Sequence, residues 1–402
     1  MRALQGMRVA DFTWVWAGSY ATMLLALLGA EVIKVESHQR PDMTRTFTFS
    51  TGQVFADLNR STAFNDLNLN KLSVTLNLSH PKGVELAKRI VSVSDAAAEN
   101  MRPGIMEKLG LGYSALREVK PDIVYLSSSA CGARGPERHH VGYAPTFAAL
   151  GGLSHITGYP DAEPASLRGP IDLRSATAAA FALMAGLYHH QRTGRGQYID
   201  FSSWESIAFL IGEVFLDLEM NGRARSRNGN RDQHMAPHNC YPCRGDDKWV
   251  SIAVSTDEEW QALRQTMGNP DWASDPKFAD PMGRWQHQEE LDRLVARWTS
   301  QRTHYEATEA LQRAGVAAAP SLSGLELLRD AHSRERGMFL EMEHPEIGKR
   351  IVVAPPWKLS PTPARVNRPS PLLGEHNEYV FGELLGMSRD EMERLQEERV
   401  IY

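Results

Sequence analysis

The stretch MRVADFTWVWAGSYATMLLALLGAEVIKVE, residues 7–36, decides the fold class. Residues 7–13 form a short apolar run typical of a buried strand, and residues 31–36 form a second one. Between them, residues 19–30 make an apolar helical segment that ends beside a glycine. A strand, a helix and a strand within about thirty residues predict a βαβ unit, and hence a parallel sheet.

The same pattern continues through the first half of the chain. Residues 72–78 and 121–130 are predicted as strands, residues 81–94 as an amphipathic helix that begins at a proline, and residues 95–101 as a further short strand. This succession predicts a doubly wound, Rossmann-like α/β domain. The first strand–helix turn holds a single glycine, Gly18, and lacks the G-x-G-x-x-G pattern, which argues against a dinucleotide site.

The composition of the 402-residue chain is that of an ordinary globular protein, with a net charge of −5 that gives no sign of nucleic-acid or membrane-surface binding. No apolar run is long enough to span a membrane, and the amino terminus lacks a secretory signal pattern. Three cysteines cannot form an even disulfide framework, so we expect a reducing, cytoplasmic location. Cys240 and Cys243 lack the partners of a zinc or redox site and are predicted to be ordinary thiols at a strand edge.

The length and a change of pattern near residue 206 predict two domains. Residues 1–205 are predicted to form the first part of the large α/β domain, and residues 206–240, with a polar and glycine-punctuated core, a linker. Residues 241–325 combine strand and helix patterns and are predicted as a smaller α+β domain. Residues 326–402, which include a proline-rich extended stretch, are predicted to return to the large domain and complete it.

A lone acid, Asp172, stands near the start of a second informative segment, GPIDLRSATAAAFALMAGLYHHQRTGRGQYIDFS at residues 169–202. Aspartate is a preferred N-cap, so these residues alone favour a cap for the Ala-rich helix that follows. Gly194 is then predicted as the left-handed residue that ends the helix. The alternative is that Asp172 performs chemistry, because a helix amino terminus stabilises the ionised, reactive form of a carboxylate.

Segments along nearly the whole chain resemble the class III CoA-transferases, the family of formyl-CoA:oxalate and carnitine CoA-transferases. The most recognisable is QRTGRGQYIDFSSWES at residues 191–206, and the others follow in the family's order. They are VADFTWVWAGSYATMLLALLGAEVIKVE (9–36), DMTR (42–45), LNLNKLSVTLNL (67–78), AENMRPGIMEKLGLGY (98–113), SSSACGARGP (127–136), RNGNRDQHMAPHNCYPCRGDDKWVSIAV (227–254), AGVAAAPSLS (314–323), RERGMF (334–339), PPWKLSPTPA (355–364) and PLLGEHNEYV (371–380). Around the first segments the chain looks most like the succinyl-CoA:benzylsuccinate CoA-transferases.

The resemblance implies that Asp172, placed ahead of the Gly-Arg-Gly-Gln turn, is a nucleophile. In the family's chemistry the carboxylate attacks an acyl-CoA donor to give a mixed anhydride, and the CoA thiolate returns to form an aspartyl-CoA thioester. A free acceptor acid then repeats these steps in reverse. The implied substrates are coenzyme A thioesters, with succinyl-CoA as the expected donor, and a carboxylic acid. No metal and no permanently bound cofactor is implied.

By motif position, the resemblance implies that coenzyme A lies along the first βα unit and the turns that follow it. The residues expected to bind it are Val15, Ala17, Arg45, Lys71, Asn100, Met101, Arg102 and Lys108. The expected acyl pocket contains Trp14, Trp16 and Cys131. Trp16 and Cys131 replace a glutamine and a tyrosine of the oxalate-using members, which implies a less polar pocket and a bulky or aromatic dicarboxylate acceptor such as benzylsuccinate.

Two other functions are compatible with the sequence. An α-methylacyl-CoA racemase shares the fold, but the Gly-His-Asp segment of racemases has Tyr143 and Ala144 in place of its histidine and aspartate here, although His139 and His140 lie nearby. The other alternative is one subunit of a heteromeric CoA-transferase. The assembly that the family implies most directly is an interlocked, ring-like homodimer.

Overall fold

The computed structural model describes residues 2–47 and 52–402 and divides the chain into two compact units. The first unit comprises Met1–Ser154, Ser166–Asn221 and Arg334–Tyr402, and the second comprises His155–Ala165 and Gly222–Ser333. Both ends of the chain therefore contribute to the first unit.

Residues 206–240 are expected to form a linker, but the first part of this segment, up to Asn221, is helical. Residues up to Asn221 form helices and belong to the first unit. The reason is their composition: this part holds apolar and acidic residues that favour a helix, and the polar, glycine-punctuated pattern begins only at Gly222. A short insertion, His155–Ala165, belongs to the second unit and had no signal in the sequence pattern.

Six parallel strands form the central sheet of the first unit, in the order β3-β2-β1-β4-β5-β6. Its strands are Arg8–Asp11 (β1), Glu31–Glu36 (β2), Leu72–Thr75 (β3), Ala96–Glu99 (β4), Val124–Ser129 (β5) and Gln197–Ser202 (β6). The second unit has an antiparallel sheet of His238–Pro242 (β7), Trp249–Ala253 (β8) and Ala317–Pro320 (β9), and a hairpin in the first unit pairs Phe339–His344 (β10) with Gly348–Val353 (β11). The order of the central sheet is that of a doubly wound fold, which confirms the predicted fold class.

Helices connect and cover these strands. They are Val15–Leu27 (α1), Met43–Thr46 (α2), Thr62–Leu67 (α3), Pro81–Ser92 (α4), Ile105–Lys108 (α5), Tyr113–Val119 (α6), Ala144–Leu150 (α7), Leu153–Ile156 (α8), Gly169–Thr193 (α9), Ser203–Leu210 (α10), Gly212–Asn221 (α11), Asp257–Thr266 (α12), Pro281–Gln286 (α13), Gln288–Thr299 (α14), His304–Arg313 (α15), Gly324–Arg329 (α16), Ala331–Glu335 (α17) and Arg389–Glu397 (α18). Short 3₁₀ turns occur at Asp271–Ser274 and Pro276–Phe278, and a π-helical segment at Glu378–Leu384.

The central sheet is buried on both faces because its strands are apolar on both sides. One set of alternating strand residues, including Val9 and Val124, packs against α1 and α9. The opposite set, including Ala10 and Tyr125, packs against α4, α6 and the carboxy-terminal segment. Two helical layers around one parallel sheet therefore place the loops after the strands together at one edge.

The second unit has its own apolar core between its sheet and its helices. Tyr241, Val250 and Trp260 belong to this core together with residues of α14 and α15. Cys240 lies within β7 and Cys243 follows its last residue, and both are free thiols, as the sequence predicts.

The proline-rich return, residues 355–376, contains neither helix nor strand, as predicted. It is held to the first unit by backbone bonds: the Arg365 N–H donates to the carbonyl of Leu27 (3.1 Å), and the Asn70 N–H donates to the carbonyl of Arg368 (3.2 Å). Among residues 2–47 and 52–402, no helix combines the length and the apolar character that crossing a membrane requires.

Candidate acyl-transfer site

Most of the predicted site residues follow the carboxyl ends of β1, β4 and β5, which are neighbours in the sheet, whereas Arg45 lies in α2, Lys71 directly precedes β3 and Asp172 lies in α9. Residues 14–17 follow β1, residues 100–108 follow β4, and Cys131 follows β5. The strand order reverses between β1 and β4, so their crossover connections lie on opposite faces and leave a crevice between the two loops. Open α/β sheets bind their ligands at such a switch point.

Asn100 fixes the turn between β1 and α1. The Trp14 N–H donates to Asn100 Oδ1 (2.7 Å), and Asn100 Nδ2 donates back to the Trp14 carbonyl (2.8 Å). Gly18 permits this approach, because a Cβ there would lie 2.7 Å from Asn100 Cγ and 2.6 Å from Thr13 Cβ. Asn100 therefore shapes the turn that carries the predicted pocket residues.

The first residue of α1, Val15, adopts a left-handed backbone with φ of 61°. Such a conformation costs a β-branched residue on the order of 1–3 kcal/mol. Asp42 holds it in place, since both carboxylate oxygens of Asp42 lie 3.1 Å from the Val15 nitrogen. Asp42 also accepts hydrogen bonds from the Ser19 hydroxyl (3.2 Å) and from the N–H and hydroxyl of Thr44 (2.9 and 2.8 Å). Strain that is over-determined in this way is typical of functional sites.

Three fully buried ion pairs support this turn. They join Lys34 to Asp42 (3.0 Å), Lys71 to Asp11 (2.9 Å) and Arg45 to Glu36 (2.8 Å). Burial alone would raise the pKa of Asp42, but the Lys34 ammonium and the hydrogen bonds from Thr44 hold it below its usual value. The same pairing holds the pKa of Lys34 above its usual value despite burial. Both groups are therefore charged near neutral pH.

Arg45, expected to offer charge to a phosphate, and Lys71, expected to contact coenzyme A, both have fully buried charged groups that are paired inside the protein. The Arg45 guanidinium binds both carboxylate oxygens of Glu36 (2.8 and 2.9 Å) and lies 3.5 Å from the centre of the Phe64 ring. The Lys71 ammonium binds Asp11 (2.9 Å) and other oxygens of the interior. A buried charge requires such partners, so removing either partner of these pairs would destabilise the fold.

Arg102 and Lys108 are exposed after β4. Neither side chain forms an ion pair or hydrogen bond with the part of the chain that the structure describes. Ala17 and Met101 are half-buried beside the same crevice, and the Met101 N–H donates to Glu99 (2.7 Å). In the segment after β4, Arg102 and Lys108 therefore offer exposed positive charge.

Asp172 lies inside the first turn of α9, and the N-cap position belongs to Arg168. The capping interpretation is thus wrong: Pro170 lies within the first two helical positions, where proline is favoured, and the helix begins three residues ahead of Asp172. Within residues 2–47 and 52–402, the carboxylate has no hydrogen bond or ion pair. Burial raises the pKa of Asp172 to about 7. A carboxylate whose pKa is raised by burial is a candidate functional group.

Trp16 connects the β1 loop to this acid. A Cβ at Gly169 would lie 3.3 Å from Cζ3 of the Trp16 ring, so the ring packs on the first turn of α9, where Asp172 lies. The indole Nε1 of Trp16 is buried and has no hydrogen-bond partner among the described residues. The Trp16 ring therefore packs on the helix turn that carries Asp172, and its indole N–H keeps a free hydrogen-bond donor among the described residues.

Cys131 is buried at the end of β5, and its neighbour Ala130 packs on the apolar cluster that contains Ile171. The loop after β5 thus borders the same turn of α9.

The Gly-Arg-Gly turn has a structural role: Gly194 ends α9 in a left-handed conformation, as predicted, and a Cβ at Gly196 would lie 2.1 Å from the carbonyl oxygen of Ile123.

A cavity of about 280 Å³ elsewhere in the first unit does not belong to this site. Its lining includes Arg8, Glu31 and Leu72, the first residues of three strands, so it lies at the opposite, amino-terminal edge of the sheet. Ligands of doubly wound folds bind at the carboxyl edge.

The sequence did not point to several residues that build the site. Asp11, Lys34 and Asp42 form the buried network, and Gly169 receives the Trp16 ring. A signal existed for Lys34, because a lysine at the centre of the apolar strand EVIKVE needs a buried partner. Nothing in the sequence identifies that partner.

The protein thus has a doubly wound α/β fold, with a carboxylate in the first turn of α9 that has no partner among residues 2–47 and 52–402. The sequence model of the family described as CoA-transferase family III matches residues 4–377 of the chain. The chain is 35% identical to the succinyl-CoA–D-citramalate CoA-transferase of Chloroflexus aurantiacus, over 100% of this chain and 98% of that protein. It is 33% identical to the β subunit of the succinyl-CoA–L-malate CoA-transferase of the same organism, over 99% and 98%.

A solved structure has the same fold. The CaiB/BaiF family protein from Brucella suis superposes with a TM-score of 0.85 at 27% identity, over 95% of this chain and 99% of that one. The chain therefore belongs to CoA-transferase family III and is an enzyme of that class.

Proposed function

We propose that this enzyme transfers coenzyme A from succinyl-CoA to a dicarboxylic acid through covalent intermediates on Asp172. The observation that carries the proposal is the position of Asp172: a half-buried carboxylate without a partner in the described part of the chain, in a helix turn on which the Trp16 ring packs. Its pKa of about 7 leaves a large ionised fraction at neutral pH, and the helix amino terminus favours that charge.

The proposed reaction has four balanced steps. The Asp172 carboxylate attacks the thioester carbonyl of the donor and expels the CoA thiolate, which leaves a mixed anhydride. The thiolate attacks the Asp172 carbonyl, releases the donor acid and forms an aspartyl-CoA thioester. The acceptor carboxylate attacks this thioester and expels the thiolate again. The thiolate finally attacks the acceptor carbonyl of the new anhydride, which releases acyl-CoA and regenerates Asp172.

Coenzyme A is proposed to lie across the crevice between the loops after β1 and β4. Arg102 and Lys108 offer the phosphates two exposed cations that have no ion-pair partner among the residues that the structure describes. Residues 14–17 are proposed to contact the pantetheine end. This arrangement needs no permanently bound cofactor, because the thioester itself is the activated group.

The proposed acceptor is a succinate-like dicarboxylate with a substituent on its carbon chain. The two Chloroflexus relatives carry D-citramalate and L-malate in their names, and both acids are substituted succinates. The apolar Trp16 ring next to the acid favours an acceptor whose substituent is apolar, and benzylsuccinate is the bulkiest acid we propose to test. The free cysteines and CoA substrates fit the expected cytoplasmic location.

We also propose that the first unit forms an interface with a second chain, either a copy of this one in an interlocked homodimer or a related subunit. Helix α11 has no buried residue. Large apolar side chains of α10 and α11 are at least half exposed: Phe209, Leu210, Phe215, Leu216, Leu218 and Met220. Surfaces of this kind mark protein interfaces.

Sedimentation at micromolar concentration should give at least twice the chain mass of 44.9 kDa, and a monomer would contradict the proposal.

A panel of acceptors tests the function directly. The purified protein is mixed with succinyl-CoA and, separately, with malate, citramalate, benzylsuccinate, glutarate and oxalate, and new acyl-CoA species are detected by mass spectrometry. We expect transfer to substituted succinates with little hydrolysis. Deuterium uptake next to the thioester of a methyl-branched acyl-CoA in D₂O, without any transfer, would instead support a racemase.

A further inference from the structure

We propose that Cys131, Glu137 and His140 form a binding site for a thiophilic divalent cation of the Zn²⁺ class. The thiol sulfur, a carboxylate oxygen and an imidazole nitrogen of these residues lie within 4.8 Å of one another. Thiolate, imidazole and carboxylate are the ligands that zinc prefers, and three protein ligands with an open fourth position make a known type of zinc site.

The loop after β5 brings these three groups together. The His140 N–H donates to the Glu137 carbonyl (2.8 Å), and this turn places His140 Nδ1 3.8 Å from the Glu137 carboxylate. At the start of the loop, the Ala133 N–H donates to Asp200 Oδ1 (2.7 Å), which anchors the segment next to Cys131 on β6. All three ligands thus come from residues 131–140, so little chain must be ordered to close the site.

The distances require only a small adjustment. Zinc bonds of about 2.0–2.3 Å in a tetrahedron place ligand atoms roughly 3.5 Å apart. Cys131 is a fixed anchor, because only 6% of the residue is exposed. The side chains of Glu137 and His140 are 48% and 58% exposed and are free to rotate towards it. Movement of about 1 Å by two surface side chains closes the triangle.

The local charge favours a cation. The carboxylates of Glu137 and Glu205 lie within electrostatic range of the Cys131 thiol. The same carboxylates attract a divalent ion, which displaces the thiol proton to solvent as the metal–sulfur bond forms. Ala130 packs on the cluster that holds Ile171, so a bound ion would fix the loop beside the first turn of α9. The proposal does not depend on the proposed CoA-transfer reaction.

The test is direct metal binding to the full-length protein after treatment with a chelator. Zn²⁺ is titrated in competition with a chromophoric chelator, and Co²⁺ is added separately to detect the charge-transfer absorption of a cobalt–thiolate bond. We expect one ion per chain with a dissociation constant in the micromolar range or below. Cys131→Ser and His140→Ala should each weaken binding by about tenfold or more, and Cys131→Ser should also remove the cobalt–thiolate absorption.

Two matched controls separate this site from others in the chain. His139→Ala removes the neighbouring imidazole, and Cys243→Ser removes another buried thiol, and both should keep wild-type affinity. His140 is exposed, so His140→Ala keeps the test valid even if Cys131→Ser fails to fold. The proposal is overturned if the wild type shows no saturable binding, if His140→Ala binds as tightly as the wild type, or if Cys243→Ser abolishes binding.

Discussion

Asp42 offers the sharpest test of how the fold supports the site. It is fully buried and pairs with the Lys34 ammonium at 3.0 Å. Its carboxylate also accepts a hydrogen bond from the N–H of Val15 and so holds the left-handed backbone of that residue. Asp42→Asn keeps the size of the side chain but removes its charge. The variant leaves the buried Lys34 ammonium without its paired carboxylate, although the Thr13 carbonyl still accepts a hydrogen bond from it (2.7 Å), and breaking such a buried pair costs up to about 3–5 kcal/mol. Since domains are stable by about 5–15 kcal/mol, we expect a folded but clearly weakened protein.

A second substitution separates stability from binding. Lys34→Met in the Asp42→Asn background removes the unpaired charge, so the free energy of unfolding should recover by more than half. The strained Val15 turn still lacks its carboxylate anchor in this double variant, because an amide cannot match the bonds that Asp42 accepts from Val15 and Thr44. We therefore expect acyl-CoA affinity to stay roughly tenfold below wild type, a difference of about 1.4 kcal/mol.

Urea unfolding followed by circular dichroism measures the stability of the four proteins in this cycle, and calorimetric titration with CoA measures affinity. Lys34→Met alone completes the cycle. If the free energy of unfolding of Asp42→Asn lies within about 1 kcal/mol of the wild-type value, the Lys34–Asp42 pair does not stabilise this region as argued. If the double variant regains both stability and full affinity, the claim that Asp42 anchors the binding turn is wrong.

Three further predictions follow from the site. Trp16→Gln should lower kcat/KM for acids with bulky apolar substituents more than for small acids, and an equal loss for all acceptors would assign Trp16 to structure alone. Arg102→Ala and Lys108→Ala should each raise KM for acyl-CoA several-fold at unchanged kcat, more at low salt, whereas unchanged KM in both would remove them from the phosphate site. Asp172→Asn should be more stable than wild type at pH 8 by up to about 4 kcal/mol and equal to it near pH 4, measured by urea unfolding at both pH values.

The sign of the last prediction comes from the direction of the pKa shift. Burial raises the pKa of Asp172 from 3.8 to about 7 in the folded protein. Between these values the folded state keeps a proton that the unfolded state has released, so the wild type loses stability as the pH rises to about 7. The same ionisation activates the nucleophile, so kcat/KM should rise with pH through about 7. A pH-independent difference between the two proteins would contradict a raised pKa.

The sequence predicted those parts of the fold that depend on local patterns. The alternation of strand and helix over residues 7–36 and the left-handed Gly194 both follow from neighbouring residues, and the structure has both. Propensity alone favours Asp172 as a cap, but the helix begins at Gly169, because Pro170 is favoured in the first helical positions and places Asp172 inside the first turn.

Long-range pairing could not be predicted in the same way. Lys71 and Asp11 are sixty positions apart in the chain, and only the parallel sheet brings them into contact. A motif places Lys71 and Arg45 near a ligand, but it carries no information on whether the charge points to solvent or into the interior. The motif placed Arg102 and Lys108 near the ligand in the same way, and their side chains are exposed. Burial therefore distinguishes Arg45 and Lys71 from Arg102 and Lys108.

The central claim is that Asp172 carries the acyl group and then coenzyme A. The most direct measurement is to incubate the enzyme with succinyl-CoA, add hydroxylamine, and map the peptides by mass spectrometry. The account predicts a hydroxamate on the peptide that contains Asp172 in the wild type. It predicts none in Asp172→Asn, which should remain folded and bind acyl-CoA while turnover falls by about 10⁴-fold or more. An unmodified Asp172 peptide in an actively transferring enzyme, or an Asn variant with near-normal turnover and no deamidation, would contradict the account.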